Sequence, residues 1–379
     1  MKRIKYIAYY DRVESLVNRN YVLSAVNKID YIISRLNKND ISVDVVSFSG
    51  CLYDYFYFDR GGVVKVGQNT VRHFSSFSPS NIGVFRILSR YWQTIQFFFW
   101  FLLNVDKNEK IIVYHSLGYC KLLTLLKKLK GCTYIGEIEE IYQDVSPLKR
   151  SISKAEFDFI DSCDSYLFPT HFLNEKLNKS NKPNILIHGV YEVEKLRNVK
   201  WNDSDIHVVY AGTFDPNKGG AVAAISAAAY LPSNYHIHIC GFGTNYDIAA
   251  IKRTIKEISL KSQAKVTFDG LIKGEEFICF LQKCQIGLST QNPFADFNDT
   301  SFPSKILTYL SNGLKVVSIR IPVVELSGIG NCVSYYEEQN PEMIANAILE
   351  CDLNTGVESS SALVRLDSDF IKKLYCLVS

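Results

Sequence analysis

The chain of 379 residues exceeds one ordinary core and matches two domains of roughly 150–200 residues each. Its hydrophobic fraction of 47% and charged fraction of 21% lie near globular averages, which excludes disordered, collagen-like and coiled-coil readings. The net charge of +3 conceals a split, because residues 1–200 carry 28 Lys/Arg against 20 Asp/Glu and residues 201–379 carry 14 against 19. A basic first half joined to an acidic second half predicts an anionic partner for the first. No nucleic-acid reader motif is present, so nucleic acid is not expected, and phospholipid headgroups or a phosphorylated acceptor remain.

The ten cysteines are scattered, with no CxxC pair and no Cys/His cluster at zinc-ligand spacing. The opening MKRIKYIAYYDRVES has too short an apolar run for a signal peptide. Free thiols without an export signal predict a reducing cytoplasm.

In chain order, Ile4–Tyr10 reads as a buried strand, Val22–Leu36 as an amphipathic helix and Ser42–Phe48 as a second strand. The aromatic stretch Arg90–Asn104 has an unbroken apolar core only from Phe97 to Leu103, far short of the roughly 20 residues of a membrane span. It reads either as a core helix or as an interfacial helix. In the second case aromatics such as Phe98 and Trp100 would enter the headgroup region, flanked by Arg86, Arg90, Lys107 and Lys110. Lys110–His115 is a strand, Gly118–Lys130 a helix, and Cys132–Glu139 and Ser165–Pro169 two further strands. Such alternation predicts a parallel sheet covered by helices.

After a polar joint at Trp201–Asp205 the pattern restarts. IHVVYAG (206–212) is a strand followed by a glycine turn and a helix over Ala221–Tyr230; HIHICGFG (236–243) is a strand followed by a helix over Ala249–Leu260. KVTFDG, QIGLST and KVVSI supply three more strands, joined by helices near Lys273–Lys283 and Ser304–Asn312. The fold class is therefore α/β with two Rossmann-like domains, about 1–195 and 206–345. A tail, 346–379, begins in the helix Pro341–Leu349 and is expected to pack back on the first domain.

Ligands of open parallel sheets bind beyond the carboxyl ends of the strands. Two such ends in the second domain carry suitable chemistry. In AGTFDPNKGG (211–220) a strand enters a glycine turn and Lys218 precedes a helix, offering a phosphate free N–H groups and a cation. In DTSFPSKILTYLSNG (299–313) Pro303 suits the first turn of a helix, Ser304 and Lys305 stand at its positive end, and Gly313 closes it.

Taken in order, GTFD-x-x-KGG, HICGFG, VTFDG, CQIGLS and FPSKILTYLSNGLKVVS resemble the donor domain of GT-B glycosyltransferases, in particular the family-four group of bacterial cell-surface sugar transferases. The motifs span about 207–320, and the first half fits the acceptor domain loosely. The resemblance implies two domains facing a central cleft. It implies Gly212, Thr213, Lys218, Ser304 and Lys305 on the donor diphosphate, and Gly241, Phe242, Gly243, Gly270, Leu271, Ile272 and Thr308 around the base and ribose. It also implies a retaining transfer in which the leaving diphosphate helps to deprotonate the acceptor, and in which no metal is required.

Two carboxylates of the family pattern are replaced by Thr300 and Thr308; Asp296 or Asp299 could face the sugar instead. His115 matches a family histidine facing the reacting sugar. Asp11, Arg12, Glu139 and Glu140 follow the first-domain strands where an acceptor would dock. The implied protein uses a UDP- or GDP-linked sugar and a glycan or lipid-linked glycan, as in O-antigen, capsule or exopolysaccharide assembly. It works in the cytoplasm at the inner membrane face, meeting an anionic surface through 86–110. The competing readings are a catalytically silent relative that binds a glycan or a partner enzyme, and a sugar-nucleotide epimerase.

Overall fold

The computed structural model describes all residues except Met1, Val13, Glu14, 143–149, Asn217, Lys218, Asp296, Phe297, Asp299 and 354–357, together with the side chains of Arg150 and Glu358. The chain divides into unit 1 (Met1–Ile187 with Phe370–Ser379) and unit 2 (His188–Asp369).

Unit 1 holds strands β1 (Lys2–Ala8), β2 (Ile41–Ser47), β3 (Tyr57–Asp59), β4 (Gly62–Val66), β5 (Asn69–His73), β6 (Ser76–Ser78), β7 (Lys110–Tyr114), β8 (Thr133–Glu137), β9 (Ser165–Phe168) and β10 (Asn184–Leu186). Its main sheet has the order β10-β9-β8-β7-β1-β2-β5-β4, parallel except for the terminal β4–β5 pair. β1 lies at the centre, bonded to β2 and β7, and its Ile4, Tyr6, Ile7 and Ala8 are buried. Strands covered on both faces need such near-continuous apolar runs. The helix Leu23–Asn37 buries Val26, Ile29, Ile32, Ile33 and Leu36, the stripe its sequence period requires. Strands β3 to β6 were not foreseen. They are short, and β4 and β5 form a hairpin that turns at Gly67 with φ +59°.

Unit 2 holds β11 (Ile206–Thr213), β12 (Tyr235–Phe242), β13 (Lys265–Gly270), β14 (Ile286–Ser289), β15 (Lys315–Ile319) and β16 (Val333–Tyr336). They form one parallel sheet in the order β13-β12-β11-β14-β15-β16. β11 is the first strand in sequence yet sits inside the sheet, so the connections diverge on either side of it. The crevice beyond the β11 and β14 carboxyl ends is the switch point of this unit.

The aromatic helix runs from Gly83 to Asn104, starting about two turns before the stretch singled out in the sequence. Ser89, Gln93, Phe97 and Phe101 recur every four residues and form its buried face. Phe97 meets Phe48 edge-on with centroids 4.5 Å apart, and Phe48 stacks on Tyr119. Phe98 and Trp100, which the interfacial reading alone would point outward, pack half-buried against this core, with Phe74 edge-on to Trp100 at 6.1 Å. Phe85, Tyr91, Trp92, Ile95, Phe99 and Leu103 are among the exposed members. Among the described residues no helix is long and apolar enough to cross a membrane.

The helix Glu358–Val378 begins in unit 2 and ends in unit 1. Leu366 packs beside Gly328 in unit 2. In unit 1 Phe370 stacks on Tyr31, while Lys2 and Lys110 donate to the carbonyls of Val378 and Leu377 at 2.8 and 2.9 Å. Seven cysteines are buried: Cys51, Cys120, Cys132 and Cys163 in unit 1, and Cys240, Cys284 and Cys351 in unit 2. Cys376 is exposed.

Candidate functional site

The candidate donor site lies at the unit 2 switch point and joins two distant segments. Gly212, one residue before the end of β11, faces Lys305: a methyl group at Gly212 would stand 3.1 Å from the Lys305 Nζ. The same ammonium lies 4.1 Å from the centre of the Tyr210 ring. Burial pushes its pKa down to about 8. Among the described residues it has no carboxylate partner. A cation left without a counter-ion at a strand's carboxyl end is suited to an anionic ligand.

Tyr309 fixes this arrangement. Its fully buried hydroxyl accepts the Ala211 N–H at 2.8 Å and lies 3.4 Å from the Leu288 carbonyl oxygen, which ties the helix Lys305–Ser311 to the ends of β11 and β14. Gly287 makes room for it, since a methyl there would lie 2.3 Å from the Tyr309 ring. The helix starts at Lys305 with Ser304 as N-cap, so Pro303 stands just before the cap, outside the first turn where it was expected. Ser304 is exposed and its side chain caps no backbone N–H. Thr308 is half-buried and bonds back to the Ser304 carbonyl at 3.3 Å, whereas Thr300 is buried. Gly313, with φ +81°, follows the helix as expected.

A second helix, Gly220–Ala227, starts beside the same strand end. Gly220 packs against Tyr210, where a methyl would come within 2.9 Å of the ring. Lys218 lies outside the described residues, as do Asp296 and Asp299. Gly241 pairs in register with Gly212, and with φ +148° its added methyl would lie 1.8 Å from the Gly212 carbonyl oxygen. Only glycine fits there. Phe242 and Leu271 are exposed at the ends of β12 and β13, and Gly270 takes a left-handed conformation with φ +74°. Ile272 is half-exposed, and Gly243 packs tightly against Phe214 and Asp247 before the capped helix Asn245–Ser259. Asn298, which lies between Asp296 and Asp299 in sequence, accepts from Gln291 at 2.5 Å and donates to the Asn292 carbonyl at 2.7 Å.

In unit 1 the predicted residues are more enclosed than the sequence suggested. His115 is 2% exposed, stacks on Phe159, and has its Nε2 3.5 Å from a Glu156 carboxylate oxygen. Burial pushes its pKa down to about 4, so the ring is neutral at pH 7. Asp11 is buried and accepts from Arg19 at 3.1 Å, with His73 at 3.4 Å. Burial opposes its charge, but the hydrogen bonds from His73 and Arg19 outweigh it and hold the carboxyl below the usual range. Arg12 is half-exposed and its N–H donates to Asp11. Glu139 pairs with Lys28, and Glu140 is half-buried. Glu137, which the sequence left without a role, is fully buried against the Tyr6 hydroxyl. Burial, then the Glu139 charge, push it up to about 8.

Tyr210 and Tyr309 were missed. Tyr309 adjoins Thr308 within the FPSKILTYL motif, and a tyrosine on the inward face of a short helix signals a buried hydroxyl that needs partners. The folded chain also gathers His207, His236 and His238, which spacing along the sequence does not reveal.

No family model matches this sequence, and no curated protein matches it. Solved structures do match in fold. Sucrose-phosphate synthase from Thermosynechococcus elongatus aligns at a TM-score of 0.68 and 13% identity, covering 100% of this chain and 95% of that one. The Anabaena HepE protein, in complex with UDP and glucose, aligns at 0.62 and 11% identity, covering 100% and 98%. The lipopolysaccharide outer core galactosyltransferase WaaB aligns at 0.60 and 13% identity, covering 99% of each chain. With two Rossmann-like units and neighbours of this kind along its whole length, the chain has the GT-B fold of glycosyltransferases.

Proposed function

We propose that the protein is a glycosyltransferase that moves a sugar from a nucleotide-diphosphate donor to a glycan acceptor. The observation that carries this reading is Lys305, whose ammonium, without a carboxylate partner among the described residues, is held against Gly212 where two helices begin. Charge develops on the leaving diphosphate during transfer, so a fixed cation and aligned N–H dipoles there stabilise the transition state. Lys218 adds a second cation, and Ser304, Thr213 and Gly212 complete the phosphate cradle. This donor site needs no metal. Gly241, Phe242, Gly243, Gly270, Leu271, Ile272 and Thr308 border the base and ribose. Asp296 and Asp299 face the sugar, and transfer proceeds with retention. The acceptor is a lipid-linked glycan of a surface polysaccharide, met at the cytoplasmic membrane face by unit 1, where Arg12 and Glu140 keep partial exposure.

The test is a thermal-shift and calorimetric screen with UDP, GDP and their sugar conjugates. Binding to the folded chain alone raises its melting temperature. One nucleotide should do so, and Lys305→Ala should remove the shift and lower kcat/KM about 30- to 1,000-fold, the equivalent of roughly 2–4 kcal/mol. No shift with any nucleotide would overturn the reading. The replacement of both family carboxylates by Thr300 and Thr308, with Thr300 buried, favours a second reading: a silent relative that binds the nucleotide sugar without turnover on any lipid-linked acceptor.

A further inference from the structure

At the amino ends of the unit 2 strands, away from Lys305, three of the seven histidines converge. His207 and His236 are register partners on β11 and β12, and His238 lies two residues along on the same face as His236. His207 and His238 are 2% and 1% exposed. Each has its outer ring nitrogen on a carboxylate: His207 Nε2 lies 2.8 Å from Asp203, and His238 Nδ1 lies 3.3 Å from Asp269. Their inner nitrogens, Nδ1 of His207 and Nε2 of His238, face one another at 2.9 Å. Trp201 covers both rings, its centre 5.0 Å from each.

Counting hydrogens exposes a deficit. A carboxylate only accepts, and the Thr267 hydroxyl, 3.2 Å from His238 Nδ1, itself donates to Asp269 at 3.0 Å; with each outer nitrogen donating, each inner nitrogen of a neutral ring presents a lone pair. Two lone pairs aimed at each other in a buried site repel. A cation between them removes the conflict. His236 supplies a third ring nitrogen, the three ligand atoms lying within 4.8 Å of one another. His236 Nε2 lies 3.0 Å from the Thr267 hydroxyl, which orients this third ring. Imidazoles oriented from behind by carboxylates are the usual setting of a metal ion, because the outer bond fixes the tautomer and strengthens the donor.

We propose that His207, His236 and His238 form a binding site for a divalent transition metal of the zinc class, with Asp203 and Asp269 orienting two of the ligands. Three imidazoles suit Zn2+ and its neighbours rather than Mg2+ or Ca2+. Metal–nitrogen bonds of about 2.0–2.1 Å set the inner nitrogens roughly 3.3 Å apart, a small ring rotation from their present separation. His236 is half-buried and leaves the fourth position to water. The metal fastens the joint that carries Trp201 and Asp203 to β11 and β12. It takes no part in the sugar-transfer reading, which uses the opposite strand ends.

The test uses the full, untagged chain, stripped with a chelator, desalted and titrated with Co2+ alone and then with Zn2+. The expected result is one retained equivalent with the visible bands of a low-coordinate Co2+ site and no thiolate charge-transfer band. Zn2+ should displace it and raise the melting temperature. His207→Asn with His238→Asn should abolish retention. Asp203→Asn, at an exposed position that leaves folding intact, should weaken binding about 10- to 100-fold. Retention of neither ion by the folded wild-type chain would overturn the proposal, as would equal retention by the double variant. Indifference to Zn2+ with a melting temperature that climbs as pH falls from 8 to 6 would assign the gap to a shared proton and overturn it too.

Discussion

Lys305 holds its charge against burial, and that sets opposite signs for two pH responses. Its folded pKa of about 8 lies below the ordinary 10.5. Between these values the unfolded chain binds the extra proton, so the contribution of this group to stability rises with pH over that window. A diphosphate ligand prefers the ammonium, so its affinity should fall over the same window. Nucleotide-diphosphate binding measured from pH 7 to 9.5 should weaken in the wild-type chain and stay flatter in Lys305→Arg. A flat wild-type curve would remove Lys305 from the phosphate site. The two segments were legible, because FPSK and the β11 glycine turn stand out by residue type, and the structure brings Lys305 and Gly212 together. What sequence could not show is that Tyr309 hangs one segment from the other, since the bond joins positions almost a hundred residues apart. The three-histidine cluster was hidden for the same reason: only the β11–β12 register brings it together.

At the scale of elements, the helix Gly83–Asn104 divides its aromatic residues between two tasks. Phe97 and Phe101 fill the core, and Tyr91, Trp92, Phe99 and Leu103 leave an apolar face in water, with Leu103 83% exposed. Exposed Arg86 and Arg90 sit on the same helix. Such a face, flanked by cations, suits the headgroup boundary of an anionic bilayer. Replacing Phe99 and Leu103 together by Ser should weaken sedimentation with anionic vesicles and leave the melting temperature nearly unchanged, because both are mostly exposed. Unchanged sedimentation would remove the membrane from the proposed function. The apolar run pointed to this helix, but its composition could not assign Phe98 and Trp100 to the inner side. That choice depends on where the helix starts and how it is rotated on the sheet. The strands of unit 2 were readable as buried runs between glycines, whereas β3 to β6, short and mixed in polarity, carry no comparable period.

For the whole molecule, two parallel sheets follow from alternating strands and helices, and the division between units falls where the sequence turns from one sheet to the next. The exception is the last helix, whose final residues Phe370, Leu374 and Val378 are buried in unit 1 although they follow unit 2 in the chain. The distribution of thiols turns this division into an intrinsic reporter. Cys376 is exposed, and burial raises the pKa of Cys120 in unit 1 and of Cys284 in unit 2 to about 12, so neither forms the reactive thiolate near neutrality. A brief pulse of alkylating reagent on the native chain should mark Cys376 and spare the seven buried sites; early marking of Cys163 would contradict the packing of unit 1. Along a denaturant series, peptide mass spectrometry then yields one labelling midpoint from Cys51, Cys120, Cys132 and Cys163 and another from Cys240, Cys284 and Cys351. Coincident midpoints would mean that the two halves melt as one cooperative body, and separated midpoints would rank them without a single introduced probe.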